Sequence, residues 1–507
     1  MPDDLGSLIA DVARGQASRP ALWAKGELLT YGELHGRATR IAAALIAAGV
    51  GPGDRVAILA ERSTFPYAAI FGVLLAGGAY VPLNIRFPAD RNRQIVERSG
   101  AAVLIASDAQ AALAGQVLGD GADVPLLTEA DLLAHPLLEP ASSIAAGKLA
   151  YVFFTSGTTG VPKGVPITHD NVLAYLRGIR TVCEITPDDR VMQVVDLTFD
   201  LSVHDIFLAW TAGACLYSIP ENGTLLCTRF VEEHGGTHWL SVPSAAALVR
   251  QTGLLTPGSM PTLKYSFFCG EALPGAVAES WAAAAPSSAI LNIYGPTEAT
   301  VAFSAFRYTS GQAEPPPVVS LGEPFPEQRM GLFSDAGEPV EKGGTGEICL
   351  SGSQVSEGYW NAPEITAERF FSHDGQRWYR TGDLGSYVEG EGYVYLGRAD
   401  RQVKIRGYRV ELQEIENAVR KATGCDLAAV IPWPLGEGGA ALGCKAYVVG
   451  GPVPDTVQSR LSELLPDYMM PSTVEAISEM PLNANGKIDH RALAQALLAK
   501  KPAGPSA

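Results

Sequence analysis

Residues 151–164 read YVFFTSGTTGVPKG. An apolar run leads into Thr155, Ser156, Gly157, Thr158, Thr159 and Gly160, and Lys163 closes the loop. Glycines expose backbone N–H groups, hydroxyls donate hydrogen bonds and a lysine adds positive charge, a set suited to phosphate oxygens. It is not the P-loop of NTPases, because Pro162 stands where that motif needs its second glycine. An ordinary surface loop can have the same composition. Downstream, Asn292-Ile293-Tyr294-Gly295-Pro296-Thr297-Glu298 follows an apolar strand at 289–291. Its carboxylate, hydroxyl and ring suit a hydrated Mg²⁺, a phosphate and a stacked base. A tight turn opening a helix explains Gly-Pro-Thr-Glu equally well. In Tyr379-Arg380-Thr381-Gly382-Asp383 the aspartate follows a strand and suits a ribose diol. An aspartate in a plain turn reads the same way.

Such groups need a scaffold to converge, and the hydropathy pattern supplies one. A helical run starts at Tyr31, a short buried strand (RVAIL) covers 55–59, and a second helical run around 67–75 leads through Gly77-Gly78 to a strand at 79–83. The alternation recurs at 101–105 and beyond, which predicts an α/β architecture with mainly parallel sheets. Two linkers stand out, Glu314-Pro315-Pro316-Pro317 and Arg398-Ala399-Asp400-Arg401. After the second, the pattern restarts with a helix at 411–421, strands at 426–431 and 445–449, and a helix at 457–465. The expected division is a large N-terminal domain, 1–399, and a small α+β domain, 400–507.

The chain has 507 residues and a formal net charge of −16, from 38 basic and 54 acidic residues. Charged residues make up 18%, below the roughly 25% of an average soluble protein, and 47% hydrophobic content is enough for a large core. The acidic balance argues against nucleic acid or an anionic membrane as partner. Seven dispersed cysteines without a C-x-x-C pair suggest reduced, buried thiols rather than disulfides or zinc. The start, Met-Pro-Asp-Asp-Leu, lacks the pattern of a signal peptide, and no apolar stretch reaches the roughly 18 residues of a membrane span. The expectation is a cytoplasmic protein.

Taken together and in order, the motifs resemble the adenylate-forming superfamily, specifically the amino-acid-activating adenylation domains of nonribosomal peptide synthesis. The resemblance runs from Leu29-Thr30-Tyr31-Gly32-Glu33-Leu34 and Ala76-Gly77-Gly78-Ala79-Tyr80-Val81-Pro82-Leu83 through the 155–164 loop, Phe199-Asp200-Leu201-Ser202-Val203 and the 292–298 segment. It continues through Gly346-Glu347-Ile348, Gly358-Tyr359-Trp360, Tyr379 to Asp383, the 397–411 stretch, and Asn483-Ala484-Asn485-Gly486-Lys487-Ile488-Asp489. One departure is Asn84, where the resemblance leads one to expect aspartate after Val-Pro-Leu.

The resemblance implies a large domain of stacked mixed and parallel sheets with helices, plus a small mobile α+β domain. It also implies two half-reactions. A substrate carboxylate attacks the α-phosphate of Mg·ATP, and a phosphopantetheine thiol on a carrier protein then displaces AMP. Residues Thr155 to Lys163 would cradle the β- and γ-phosphates, and Tyr294 would stack near adenine in a pocket lined by Gly270, Glu271 and Ala272. Asp383 would take the ribose, helped by Arg398 and Tyr395, while Glu298 would hold Mg²⁺. Lys487 would be the electrostatic catalyst bringing two anions together. Asp400 would be the hinge about which the small domain turns, retracting Lys487 and presenting the 404–411 hairpin.

Asp200 matches the aspartate that pairs with a substrate α-amino group. A carboxylate between Phe199 and Leu201 is costly to bury unless a cation arrives. The remaining pocket positions implied are Leu201, His204, Leu240, Phe267, Cys269, Ile293, Val301, Ala302 and Lys487, with Trp239 or Ser241 as alternatives to Leu240. Apart from Asp200, His204 and Lys487 this lining is apolar, which disfavours charged side chains. Phe267 and Ile293 are bulky and favour a small substrate such as L-alanine, with proline or another small amino acid as alternatives. His204 reads as pocket wall. Nothing like a carrier motif follows Lys487 and nothing like a condensation domain precedes Leu29, so the expectation is a free-standing enzyme serving a discrete carrier protein. Arg401, Lys404, Arg406 and Arg409 offer that carrier a basic edge. The other enzyme reading is an acyl-CoA synthetase using free CoA.

Overall fold

The computed structural model describes residues 4–136, 146–157, 161–220, 226–341, 343–425, 427–436, 439–449, 453–481 and 488–499. The chain forms two compact units. The larger contains Met1–Ile85, Asn92–Thr155 and Lys163–Asp400; the smaller contains Arg86–Arg91, Ser156–Pro162 and Arg401–Ala507. The break falls between Asp400 and Arg401, inside the charged linker. That two short internal segments group with the smaller unit has no signal in the sequence.

Two large sheets organise the larger unit. One has nine strands among the described residues, ordered Glu323–Pro324, Ser304–Tyr308, Ala289–Tyr294, Tyr265–Phe268, His238–Ser241, Arg190–Gln193, Cys215–Ser218, Pro20–Ala24 and Glu27–Thr30. From Ala289–Tyr294 to Pro20–Ala24 all neighbours run parallel, and the strands outside them are antiparallel. The second sheet, of six strands, is Leu126–Thr128, Val103–Ala106, Arg55–Leu59, Ala79–Leu83, Leu149–Thr155 and Lys163–Thr168, parallel except for its last pair. Both sheets and the helices on them feed one apolar cluster, which takes Phe267 and Leu291 from the first and Ile58 and Phe153 from the second. The nine-stranded sheet has a second core on its other face, built on Trp239, Phe268 and Trp281. Burial on both faces explains why its strands read as continuous apolar runs.

Local signals agree with these elements. Thr64–Leu75 (TFPYAAIFGVLL) is apolar all round and is buried along nearly its whole length, as a helix between layers must be. Thr30 with Glu33 and Thr168 with Asn171 form reciprocal N-terminal caps that start the helices Tyr31–Ala47 and His169–Ile179. A third, antiparallel sheet carries the 13-residue strand Gln376–Val388 between Thr345–Ser351 and Phe370–His373, with Gly392–Arg398 also paired to it.

In the smaller unit the amphipathic helix Leu412–Thr423 packs on a three-stranded sheet, Leu427–Pro432, Cys444–Val449 and Val474–Ala476. Asp426, where the expected strand begins, lies outside the described residues. The helix buries Glu416, whose Oε1 accepts from Arg401 (2.7 Å), the Val430 amide (2.9 Å) and His490 Nε2 (3.2 Å). Arg401 is therefore anchored by an ion pair while its side chain stays 39% exposed. Arg406 Nε donates to the Leu442 carbonyl and Arg409 Nε to Gln402 Oε1, so three of the four basic residues expected as a docking edge have internal partners.

Burial alone would raise the Glu416 carboxyl, but His490, Arg401 and the Val430 amide together bring it down to about 2 from 4.5. A depressed folded-state value stabilises above the unfolded value, and the benefit disappears as pH falls from about 5 towards 2. Thermal melts of the intact protein are therefore expected to show Glu416→Gln less stable than wild type at pH 7 by on the order of 3 kcal/mol. That gap should close below pH 3. A gap independent of pH would contradict the assignment.

Candidate functional site

Most candidate residues of the larger unit lie in or just past neighbouring parallel strands. Leu240, Phe267 and Leu291 form one row by register, and Ser241, Phe268 and Asn292 form the next. Gly270, Glu271 and Ala272 follow the Tyr265–Phe268 strand, and Gly295, Thr297 and Glu298 follow Ala289–Tyr294. The carboxyl edge of parallel strands is where such sheets bind ligands. The strand at 289–291 is longer than expected and runs through Tyr294, so Asn292, Ile293 and Tyr294 are strand residues. Antiparallel pairing with Ser304–Tyr308 supplies the extra hydrogen bonds.

Asp383 also departs from expectation. It lies inside the long strand Gln376–Val388 rather than in a turn after it. The positive φ of Gly382 (+77°) makes the local twist, and the Gly392–Arg398 strand pairs Asp383 directly with Arg398. Arg398 donates to Asp383 Oδ1 (2.5 Å), to both oxygens of Asp400 (2.7 and 2.9 Å) and to the Thr381 carbonyl (3.1 Å). Tyr294 donates its hydroxyl to Asp383 Oδ2 at 2.7 Å. Burial first, then the Asp383 charge, push the Tyr294 phenol far above the ordinary range, so it stays a donor. Tyr395, on the Gly392–Arg398 strand, is raised to about 12 by burial and then by Asp383.

Glu298 is 1% exposed, and Tyr359 donates to its Oε1 at 2.6 Å. Lys163, paired with Thr155 at the loop end of the Leu149–Thr155 and Lys163–Thr168 hairpin, holds its ammonium 5.9 Å over the Tyr359 ring. Tyr359 thus links the hairpin lysine to the buried carboxylate. In the sequence it stands only as the middle residue of Gly358-Tyr359-Trp360, with nothing to mark this role. Glu271 Oε2 accepts the Ser244 amide (2.8 Å) at the start of the Pro243–Gln251 helix, and Asn292 donates to the Val319 and Ser320 carbonyls. Ser156 and Gly157 belong to the smaller unit. Thr158, Thr159, Gly160 and Lys487 lie outside the described residues.

Asp200 precedes the Leu201–Trp210 helix with an αR backbone and makes no side-chain cap, so capping does not account for it. It is 9% exposed. Burial raises the phenols of Tyr80, Tyr151 and Tyr175, and the Asp200 charge adds to the shift in each. Leu201, Leu240, Phe267, Cys269, Ile293, Val301 and Ala302 all belong to one buried cluster, whereas Trp239 packs on the opposite face. His204 is fully buried, with Nδ1 2.6 Å from the Tyr175 hydroxyl and its ring 4.8 Å from Phe267. Burial, then His238, lower it to about 3, so it is neutral at pH 7. Thr300 and Val301 both hold positive φ (+58° and +68°). For β-branched residues this costs about 1–3 kcal/mol each.

Asn84 has a local reason. Its amide donates to Asp196 Oδ2 (3.2 Å), and Asp196 Oδ1 accepts from Thr198, two residues before Asp200. Aspartate at position 84 would set two carboxylates side by side.

The sequence profile described as "AMP-binding enzyme" matches residues 9–360. Malpinin synthetase of Mortierella alpina is 36% identical over 490 residues, 92% of this chain. Tyrocidine synthase 3 of Brevibacillus parabrevis is 35% identical over 93% of this chain. The chain spans only 6% of the first relative's length and 7% of the second's. Novobiocin biosynthesis protein H of Streptomyces niveus is 33% identical, with 99% of this chain and 84% of that protein covered. Among solved structures, the Vibrio cholerae adenylation domain AlmE in complex with glycyl-adenosine-5'-phosphate superimposes with a TM-score of 0.90. Its identity is 33%, over 99% of this chain and 98% of that one.

The Asp383–Arg398 pair carries the prediction for this site, because both side chains are under 10% exposed. Arg398→Met strands a buried carboxylate and should cost about 3 kcal/mol, read as a lower urea midpoint of the larger unit. Adding Asp383→Asn should recover part of the loss. Strictly additive losses would show that the two charges are not coupled.

Proposed function

Because the chain belongs to the AMP-binding enzyme family, we propose that it activates a small neutral amino acid, alanine first, as an aminoacyl-adenylate at the expense of ATP. The aminoacyl group then passes to the phosphopantetheine thiol of a discrete carrier protein. The observation that carries the amino-acid reading is Asp200, a carboxylate 9% exposed beside a lining that is apolar except for the neutral His204 among the described residues. An incoming ammonium pairs with that charge, which a fatty or aryl acid cannot do. Phe267 and Ile293 restrict the space left, favouring alanine over larger substrates. The glycyl-adenylate bound by the AlmE neighbour is a small aminoacyl group of the same kind.

On the nucleotide side, Asp383 presents a carboxylate already held by Tyr294 and Arg398, and each oxygen has a second lone pair for a ribose hydroxyl. Lys163 suits the phosphates. Among the described residues no group of three or more His, Cys, Asp or Glu side chains gathers into a metal cage. One buried carboxylate, Glu298, suits Mg²⁺ arriving with ATP, since this ion keeps water and phosphate as its other ligands. Bound there, Mg²⁺ would neutralise charge developing on the leaving pyrophosphate. Lys487 keeps its role from the sequence, drawing the substrate carboxylate towards the α-phosphate.

ATP–pyrophosphate exchange across amino acids, including glycine, proline and D-isomers, and across acids without an amino group tests this reading. Alanine is expected to lead, with neighbours one methylene away within about 10–200-fold. Asp200→Ala should lose at least about 100-fold, as expected when a buried charge partner is removed. Strongest exchange with an acid lacking the amino group would sink the proposal. Offering free CoA beside a carrier protein separates the acyl-CoA synthetase reading. Lys487→Ala should suppress adenylate formation more than thiol transfer from pre-made adenylate; equal losses would refute its assigned role.

A further inference from the structure

Beyond the residues assigned to the reaction, we propose that Gln354 is a positioning residue that sets substrate selectivity by clamping the left-handed turn at Thr300 and Val301. The proposal rests on the amino-acid-activating reading above and concerns the wall of that same pocket. Thr300 and Val301 are buried, β-branched and adjacent, and both sit at positive φ. Neither residue type holds that conformation unaided. Something nearby has to hold it.

Gln354 is fully buried in the loop after the Thr345–Ser351 strand. Its Nε2 donates to the Ala302 carbonyl at 2.7 Å, with the Ala299 and Thr300 carbonyls at 3.3 and 3.4 Å. In return the Gln354 carbonyl accepts the Thr300 hydroxyl at 2.6 Å. Gln328 backs the clamp by accepting the Gln354 amide (3.3 Å) while its own Nε2 donates to Ser353 (3.0 Å). Two residues on, the Ser356 amide donates to the Glu298 carbonyl at 2.8 Å. One short segment therefore holds the turn from both sides.

The turn sits in close-packed surroundings. Gly295 lies so close behind Ala302 that a Cβ there would be 2.7 Å from the Ala302 Cα. Val301 and Ala302 belong to the buried lining that also holds Phe267, Cys269 and Ile293, so movement of the released turn moves that wall. The side-chain bonds that Tyr294 and Arg398 make to Asp383 do not involve the turn, and the Tyr294 carbonyl, which accepts the Phe303 amide at 2.6 Å just beyond it, is fixed by the strand pairing with Ser304–Tyr308. Loss of the clamp should therefore change amino-acid recognition and leave nucleotide recognition nearly intact.

The test is ATP–pyrophosphate exchange by the full chain as wild type, Gln354→Leu and Gln354→Glu, with alanine and the bulkier valine at varied ATP. Leucine keeps the shape without the donor; glutamate sets a carboxylate against three carbonyls. Both variants are expected to raise the KM for alanine at least fivefold with the KM for ATP within twofold, and to shift the alanine-to-valine ratio of kcat/KM at least fivefold. Thr300→Gly added to Gln354→Leu should recover part of the lost alanine KM, because glycine adopts positive φ without a clamp while Val301 stays strained. An unchanged alanine KM, an ATP KM rising in proportion, or no rescue by Thr300→Gly would overturn the proposal. If Gln354→Leu does not fold, Gln354→Asn, whose shorter arm weakens the clamp, is held to the same criteria. A wild type that exchanges with no amino acid overturns the underlying reading and this one with it. Normal wild-type exchange with an unresponsive Gln354 variant overturns this one alone.

Discussion

The Asp383–Arg398 pair is the constraint from which the rest of the larger unit can be read. Both charges are nearly dry, with 6% and 9% of their side chains exposed. An ion pair in that setting is strongly destabilising if either partner is misplaced. Its geometry therefore requires several things at once: the twist at Gly382, the register that sets Asp383 opposite Arg398, and the extension to Tyr294 of the strand that ends the parallel run. Glu347 on the neighbouring strand adds to this by accepting the Gly382 amide and pairing with Arg380. Arg398 also engages Asp400, the last residue of the larger unit. The proposed ribose-binding carboxylate is thus placed by a network that must form for the sheet itself to be stable.

Several other buried carboxylates are partnered in the same way. A net charge of −16 suggests an acid excess everywhere, yet inside the protein specific partners meet these groups, with Asp205 the exception: neither of its buried oxygens is hydrogen-bonded, and burial pushes its carboxyl well above the ordinary range. Glu416 has Arg401 and His490, Asp189 has Lys264, and Glu298 has the Tyr359 hydroxyl. Arg401 takes part in this matching from the surface, with 39% of its side chain exposed. His204, a further titratable group of the proposed amino-acid pocket, is neutral and packed against Tyr175 and Phe267. That leaves Asp200 to give the pocket its electrostatic character, in keeping with a zwitterionic substrate.

Much of the architecture was legible because its signals are local. Alternating apolar and helical runs with Gly and Pro punctuation give the parallel sheets and the helices between them. The site was legible only as a set of residue types in order. Leu240 against Trp239 is an instance of what was not: period-2 alternation says that they face opposite ways, but not which face meets the pocket. The shared row with Phe267 puts Leu240 on one face of the sheet, and Trp239 packs on Trp281 on the other. Asn84 is another. Its oddness was visible in the chain, and its reason, the Asp196 carboxylate 112 residues away, was not.

By itself, then, the sequence determined the family resemblance, the division near Asp400, and the chemical inventory: a phosphate-type loop, a candidate ammonium-binding aspartate and a ribose-type carboxylate. These follow from residue type, spacing and short-range periodicity, which one dimension can carry. Only the tertiary structure decided that Asp383 is a strand residue locked to Arg398, that Arg401 is an internal partner, and that Tyr359 bridges Lys163 and Glu298. It alone showed Thr300 and Val301 held in a left-handed turn by Gln354. Each of these depends on which distant groups share a buried volume. Burial makes a hydrogen bond or charge pair decisive, and burial is a property of the folded chain.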